Sequence, residues 1–192
     1  MVAMTISAAW PPSGQEFTVD DLDRMPDDGR RYELLDGVLI VSPRPGVAHQ
    51  EVAFELAIQL KEACPPELRV IPEPAVMLSR FTEFDPDIVV IHQDRISDTR
   101  LTKPPLLIVE VRSPSTALID LNRKKAAYEG FGVPSYWILD PDRDRPELTA
   151  FELGPTGYVQ ADRVVGASAF LAKRPFAVEV VPARLVAGLF PR

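Results

Sequence analysis

Leu106-Leu107-Ile108-Val109-Glu110-Val111-Arg112-Ser113-Pro114-Ser115-Thr116, then Ile119 to Glu129, then Ser135-Tyr136-Trp137-Ile138-Leu139-Asp140, is the stretch that decides the fold. Its opening run is continuously apolar, the pattern of a strand buried on both faces, yet it ends on a carboxylate, Glu110. Ser113 to Thr116 breaks the strand and offers hydroxyls for a helix start. From Ile119 to Glu129 the chain reads as a helix, on which Asp120, Lys124 and Tyr128 recur every four residues and share a face. Gly130 and Gly132 stop it, and Pro134 prevents its resumption. Ser135 to Leu139 is a second buried strand, closed by Asp140-Pro141. Strand, helix, strand is a βαβ unit, so the two strands should lie parallel in one mixed sheet, joined by a right-handed crossover.

On the C-terminal side, Glu147 to Leu153 and Tyr158 to Arg163 flank Gly154-Pro155-Thr156-Gly157, a hairpin pattern. Phe176 to Val181 reads as a last strand and Pro182-Ala183-Arg184-Leu185 as the start of a short helix. On the N-terminal side, Pro86-Asp87-Ile88-Val89-Val90-Ile91 is a buried strand with an acid at its start. Arg69-Val70-Ile71 and Ala75-Val76-Met77-Leu78 are strand segments broken by Pro72 and Pro74, which suits an edge or a bulge. Arg80 to Asp85 reads as a polar turn and Asp94 to Pro105 as a charged loop. His49 to Ala63 has a helical stripe of Val52, Leu56 and Leu60, ended by Pro65-Pro66. Asp36-Gly37 between Arg31–Leu35 and Val38–Val41 is a strong signal for a two-residue hairpin. Phe17 to Leu22 forms a short helix capped by Thr18. Residues 1–16 read as a mobile tail.

A chain of 192 residues with no dividing linker reads as one domain, 1–192, and 46% hydrophobic content excludes a wholly disordered chain. The single cysteine, Cys64, excludes an internal disulfide and reads as core filler rather than nucleophile. With only two histidines, His49 and His92, a structural zinc site is not expected. No segment has the ~20 apolar residues of a membrane helix, and the first residues lack the basic end and apolar core of a secretory signal. The expected location is the cytoplasm. A net charge of −7 argues against a surface coated in phosphate-binding groups, but is compatible with a local basic groove.

Asp87 and Glu110 stand at the ends of strands that otherwise read as buried. Each alone fits a strand-end residue meeting solvent. Buried together, two carboxylates need a compensating cation or proton. A divalent ion such as Mg²⁺ or Mn²⁺ is one solution, since these ions use a few carboxylates plus waters and substrate phosphate. Lys124 could orient the attacking water or stabilise developing negative charge, if its helix packs over the sheet. Lys125 lies ~100° away around the helix, off the face of Asp120 and Tyr128. Glu33 is either a third carboxylate or a hairpin residue paired with Arg31 or Arg44. His49 is either a helix cap or a phosphate contact. Asp120 would hold Lys124 through an i,i+4 ion pair. Tyr136 and Trp137 read as core, and His92 lies at the far end of its strand from Asp87.

This set resembles the PD-(D/E)XK nuclease superfamily, and more closely the Uma-type restriction-endonuclease-like family. The resemblance rests on Tyr32-Glu33-Leu34-Leu35-Asp36-Gly37, Ser42-Pro43, His49, Pro86-Asp87, Glu110-Val111, Ser113 to Thr116, Asp120, Lys124, Tyr128 and Gly132-Val133-Pro134-Ser135-Tyr136-Trp137, and covers about Phe17 to Pro191. It implies an α/β (α+β) restriction-endonuclease-like fold, a mixed β-sheet flanked by helices with additional hairpins. It also implies a Mg²⁺- or Mn²⁺-dependent endonuclease acting on DNA. Asp87 and Glu110 would hold the metal, with the Val111 carbonyl as a further ligand, and Lys124 would complete the catalytic set. The superfamily places lysine two residues after the strand acid. Here that position is Arg112, which should share Glu110's face and steady phosphate; the Uma-type pattern takes the lysine from the following helix, at Lys124. A protein on this fold that binds nucleic acid or a partner without cutting is the alternative. Cutting both strands of a duplex calls for two sites, so a homodimer is expected.

Overall fold

The computed structural model describes residues 16–112 and 120–189. In chain order it has α1 (Val19–Leu22), β1 (Arg30–Leu35), β2 (Val38–Pro43), α2 (Val47–Ala63), β3 (Leu68–Pro72), β4 (Val76–Ser79), β5 (Thr82–Phe84), β6 (Ile88–His92) and β7 (Leu107–Val111). A π-helical turn (Asp120–Lys124) leads into α3 (Lys125–Phe131), followed by β8 (Ser135–Asp140), β9 (Glu147–Gly154), β10 (Gly157–Val165), β11 (Phe170–Ala172), β12 (Val178–Val180) and α4 (Pro182–Leu185).

The central sheet has the order β10-β9-β8-β7-β6-β3. β7 and β8 are parallel, with Leu107 opposite Ser135 and Val111 opposite Leu139, as the βαβ pattern requires. The other neighbours are antiparallel, so the sheet is mixed. A second sheet, β2-β1-β5-β4, and a small β11-β12 pair complete the architecture. Every residue of β7 is buried because both faces are covered. Leu107, Val109 and Val111 enter one core with Val52, Leu56 and Leu60 of α2. Each fully buried aliphatic chain of that stripe contributes about 1.5–3 kcal/mol. Ile108 enters the other core with Leu35, Phe84, Val89, Ile91, Tyr128 and Tyr136. There the Tyr128 ring meets Phe84 edge-on at 5.5 Å and Tyr136 at 5.3 Å.

The Asp36-Gly37 turn joins β1 to β2 with φ of +49° and +75°, which a glycine at the second position makes cheap. The proline-flanked β3 is an edge strand, as expected. Several boundaries depart from the sequence reading. Thr82–Phe84 is a buried strand, not a polar turn: Leu34 pairs with Glu83, and the Thr82 hydroxyl accepts the Asp36 N–H at 3.1 Å. The 76–79 segment joins the second sheet rather than continuing β3. The charged loop before β7 carries a buried Leu101 bridged to Val76. β11 was not legible as a strand. The helix runs past Gly130 to Phe131, and Gly132 alone ends it in the left-handed region at φ +87°. The tail at 1–15 and the break at Ser113 to Thr116 lie outside the described residues. No described helix is long and apolar enough to cross a membrane.

Candidate active site

The central sheet delivers two acids. Ile88 pairs with Val109, and extending that antiparallel register by one position sets Asp87 across from Glu110. Strand alternation puts Glu110 on the face of Ile108, toward the core that holds Tyr128 and Phe84. Both acids are 2% exposed. The Val111 N–H donates to Asp87 Oδ2 at 2.7 Å, tying the two strand ends together.

The helix delivers the cation. Lys124, itself 2% exposed, donates from Nζ to Glu110 Oε1 at 3.2 Å and to Glu33 Oε1 at 2.8 Å. One turn on, the Tyr128 hydroxyl donates to the same Glu110 oxygen at 2.8 Å. The i,i+4 spacing brings both groups to one atom. Glu33 comes from β1 in the second sheet and also accepts the Asp85 N–H at 3.0 Å. A buried lysine so placed compensates two carboxylates whose burial would otherwise be prohibitive.

Three more groups close the site. His49 lies in the first turn of α2, whose N-cap is Gly46, so it is not a cap. Its Nε2 donates to the Val111 carbonyl at 2.8 Å and lies 3.3 Å from Asp87 Oδ2. Burial opposes charge on His49, but Asp87 and the Val111 carbonyl outweigh it and hold the imidazole above its ordinary value. Arg31 Nη2 lies 3.2 Å from Glu73 Oε1 and 3.7 Å from Asp87 Oδ1. Asp87 Oδ1 is buried without a hydrogen-bond partner among the described residues. Asp85 is pushed up to about 6, first by burial and then by the nearby Glu33 charge. Glu33, Asp85, Asp87 and Glu110 thus share the basic side chains of Arg31, Lys124 and His49, so acids outnumber bases. Two clefts open here. One is lined by Val47, His49, Phe54, Glu73 and Asp87, the other by Arg30, Arg31, Arg44, Glu73 and Asp85.

Asp87, Glu110, Val111, Lys124, Glu33 and His49 are therefore brought together. Glu33 pairs with Lys124, not with Arg31 or Arg44. Arg112 is not in this group: β7 ends at Val111, and the Arg112 guanidinium turns to Asp140 Oδ2 at 2.5 Å. Strand alternation does not extend to a residue beyond the strand. The Asp120 side chain lies outside the described residues, and with it the expected ion pair to Lys124. Lys125 sits 3.7 Å over the Phe151 ring, away from the acids. Tyr136 and Trp137 are fully buried, and Cys64 packs partly buried at the end of α2. His92 is at the opposite end of β6 from Asp87. The sequence reading missed Arg31, Glu73 and Asp85 as neighbours of the acids. Arg31 had a signal, since it lies two residues from Glu33 on one strand and so on the same face. Among the described residues, no three His, Cys, Asp or Glu side chains are grouped closely enough to hold a metal by themselves.

No curated protein matches the chain. A solved structure, that of a protein titled a "putative nuclease belonging to DUF820" from Anabaena variabilis ATCC 29413, superposes with a TM-score of 0.72 at 19% identity, covering 91% of this chain and 99% of that one. At that identity the likeness establishes the restriction-endonuclease-like fold alone. The family model "Uma2: Putative restriction endonuclease" matches residues 19–180, most of the chain, and the protein belongs to that family.

Proposed function

We propose that the chain is a metal-dependent DNA endonuclease that hydrolyses phosphodiester bonds. The observation that carries this reading is a buried Glu110 held by Lys124 and Tyr128, next to Asp87 with one buried oxygen that has no hydrogen-bond partner among the described residues. The donor set fits Mg²⁺ or Mn²⁺. Asp87 and Glu110 offer hard anionic oxygens, and the Val111 carbonyl can accept from His49 and still offer a second lone pair. Two carboxylates and a carbonyl suit an ion that keeps waters of its own. A divalent ion here would acidify water and neutralise charge on the phosphoryl oxygen. The excess of acids around Arg31 and Lys124 supports a cation as the missing charge.

The chain's own groups have distinct tasks. Glu33 and Glu110 hold and aim the Lys124 amine by accepting its hydrogen bonds. Its ammonium is then placed to orient the attacking water or to stabilise negative charge building on the phosphate. Tyr128 fixes the Glu110 carboxylate by donating to it. His49 braces the Val111 carbonyl and Asp87. A cytoplasmic homodimer, with one site for each strand, is part of the same proposal. The alternative, nucleic-acid or partner binding without cutting, draws on the −7 charge and on a Lys124 amine already engaged at 2.8 and 3.2 Å.

The test is cleavage of single- and double-stranded oligonucleotides in Mg²⁺ and Mn²⁺, run beside metal titration by calorimetry. Asp87→Asn and Glu110→Gln should abolish cutting, weaken metal binding and lose the thermal stabilisation that metal gives the wild type. Lys124→Ala should keep metal binding and lose turnover. Wild type that binds no divalent metal at millimolar levels and cuts neither substrate would hand the case to the non-catalytic alternative.

A further inference from the structure

Arg31 and Glu33 leave β1 on the same face, but they meet different partners. Glu33 turns to the buried Lys124, whereas Arg31 spans the distance from Asp87 to Glu73. The side chains become progressively more open along that line: Asp87 is 1% exposed, Arg31 16% and Glu73 55%. Arg31 therefore carries positive charge from the buried acid to the cleft surface. Glu73 is held there by its backbone. It lies between Pro72 and Pro74 with φ +47°, a region that non-glycine residues seldom adopt, and its N–H donates to the Asp87 carbonyl at 3.1 Å. Strained residues of this kind gather at ligand clamps and active sites. Glu73 lines both clefts, and Arg30 and Arg44 stand beside Arg31 in the second.

We propose that Arg31 is the phosphate-binding residue of this site, and that the Glu73 carboxylate is a built-in stand-in for the substrate phosphate, displaced when a DNA strand enters. The proposal rests on the nuclease reading above and adds to it which residue grips the strand. A guanidinium presents a planar fork of donors that a carboxylate or a phosphodiester can accept, and both partners carry one negative charge. An ion pair with a half-exposed acid is weak, so the exchange is nearly balanced and the incoming phosphate need only outcompete Glu73 locally. Asp87 keeps the guanidinium beside the metal-binding acids, which puts the gripped phosphate next to the reacting one. Arg30 and Arg44, paired with the surface acids Asp28 and Asp27, extend the track to neighbouring phosphates. Arg112 does not serve, because Asp140 takes its guanidinium away from the cleft.

The experiment measures oligonucleotide binding by fluorescence anisotropy in Ca²⁺ across a salt series, and steady-state cleavage in Mg²⁺. It compares wild type, Arg31→Ala, Glu73→Gln and, as a remote control, Arg163→Ala. Glu73→Gln is isosteric and largely exposed, so it tests the idea even if Arg31→Ala folds poorly. Glu73→Gln should bind DNA several-fold more tightly, as its competitor charge is gone. Arg31→Ala should weaken binding about tenfold, flatten the salt slope by about 1, and raise KM more than it lowers kcat. Arg163→Ala should match wild type. If wild type binds and cuts but Glu73→Gln binds no tighter, or a folded Arg31→Ala binds as well as wild type, the phosphate assignment is overturned while the nuclease reading stands. If wild type neither binds nor cuts, both are overturned.

Discussion

Replacing Lys124 by methionine keeps most of the aliphatic stem and deletes the ammonium between Glu33 and Glu110. In the metal-free protein the two carboxylates, 4% and 2% exposed, then lose a shared partner at 2.8 and 3.2 Å. At an effective dielectric of ~20, one unit pair at ~3 Å is worth ~5–6 kcal/mol of attraction. The desolvation of the lysine is recovered on its removal, so the measured loss should be smaller, about 3–5 kcal/mol, typical of breaking a buried pair from one side. That is a third or more of the ~5–15 kcal/mol that holds a typical domain folded. Urea unfolding at pH 7 in EDTA, followed by the fluorescence of the buried Trp137, measures it. The second arm adds Glu33→Gln. In the Lys124→Met background that change should recover stability, whereas in wild type it should cost some, giving a coupling of about 1–3 kcal/mol between the two sites. A Lys124→Met loss below ~1 kcal/mol, or a cycle additive within ~0.5 kcal/mol, would refute the buried-triad argument.

Two further outcomes follow from the same geometry. Asp85 has its folded value raised from the ordinary 3.8 to about 6. Its favourable contribution is complete below pH ~3.8 and is lost as pH rises through ~6, leaving a cost at pH 8 of up to about 3 kcal/mol. Burial and Glu33 and Glu83 push it up, Arg31 and Lys124 pull it down. Asp85→Asn should therefore stabilise the metal-free protein at pH 8 and not at pH 3.5; an equal effect at both would sink this account. Tyr128→Phe removes the hydroxyl that donates to Glu110 at 2.8 Å in a fully buried position, and should cost about 1.5–3 kcal/mol in thermal or urea unfolding. A Tyr128→Phe variant as stable as wild type would show that the hydroxyl does not help to hold the buried carboxylate.

The central βαβ unit was legible because β7 and β8 are buried on both faces, so that β7 is apolar at every position but Glu110 and β8 carries charge only at its last residue, Asp140. That contrast is what made Glu110 conspicuous. Asp87 was legible for the same reason at the start of β6. Lys124 over Lys125 followed from the family resemblance together with helical spacing, with Lys125 left to lie on Phe151. β5 was not legible: Thr82-Glu83-Phe84 is short and polar in composition, and its place inside the sheet, between β4 just before it and β1, depends on a strand distant in sequence. Arg112 misled because alternation was carried one residue beyond the end of the strand. Glu73 could not be read at all, since its role depends on a left-handed turn between two prolines that folds it back over Asp87.

The second sheet is what turns two buried acids into a site. The central sheet brings two negative groups to the site, Asp87 and Glu110. β1 lays Arg31 against the first, and Glu33 against the lysine that serves the second. Both come from one face of one strand, two residues apart, so a single register sets them both. That register is fixed by the Asp36-Gly37 turn, where Leu35 pairs with Val38 and Glu33 with Ile40. A slip of one residue would carry Arg31 and Glu33 together to the far face and replace them with Tyr32 and Leu34. The Asp36 N–H bond to Thr82 and the Gly37 N–H bond to the Phe81 carbonyl, at 3.1 and 2.9 Å, guard against this by locking the turn to the approach to β5. The polar-looking segment Phe81 to Phe84 therefore acts on the site from a distance. It holds the hairpin in the one register that matches each acid of the central sheet with a cation.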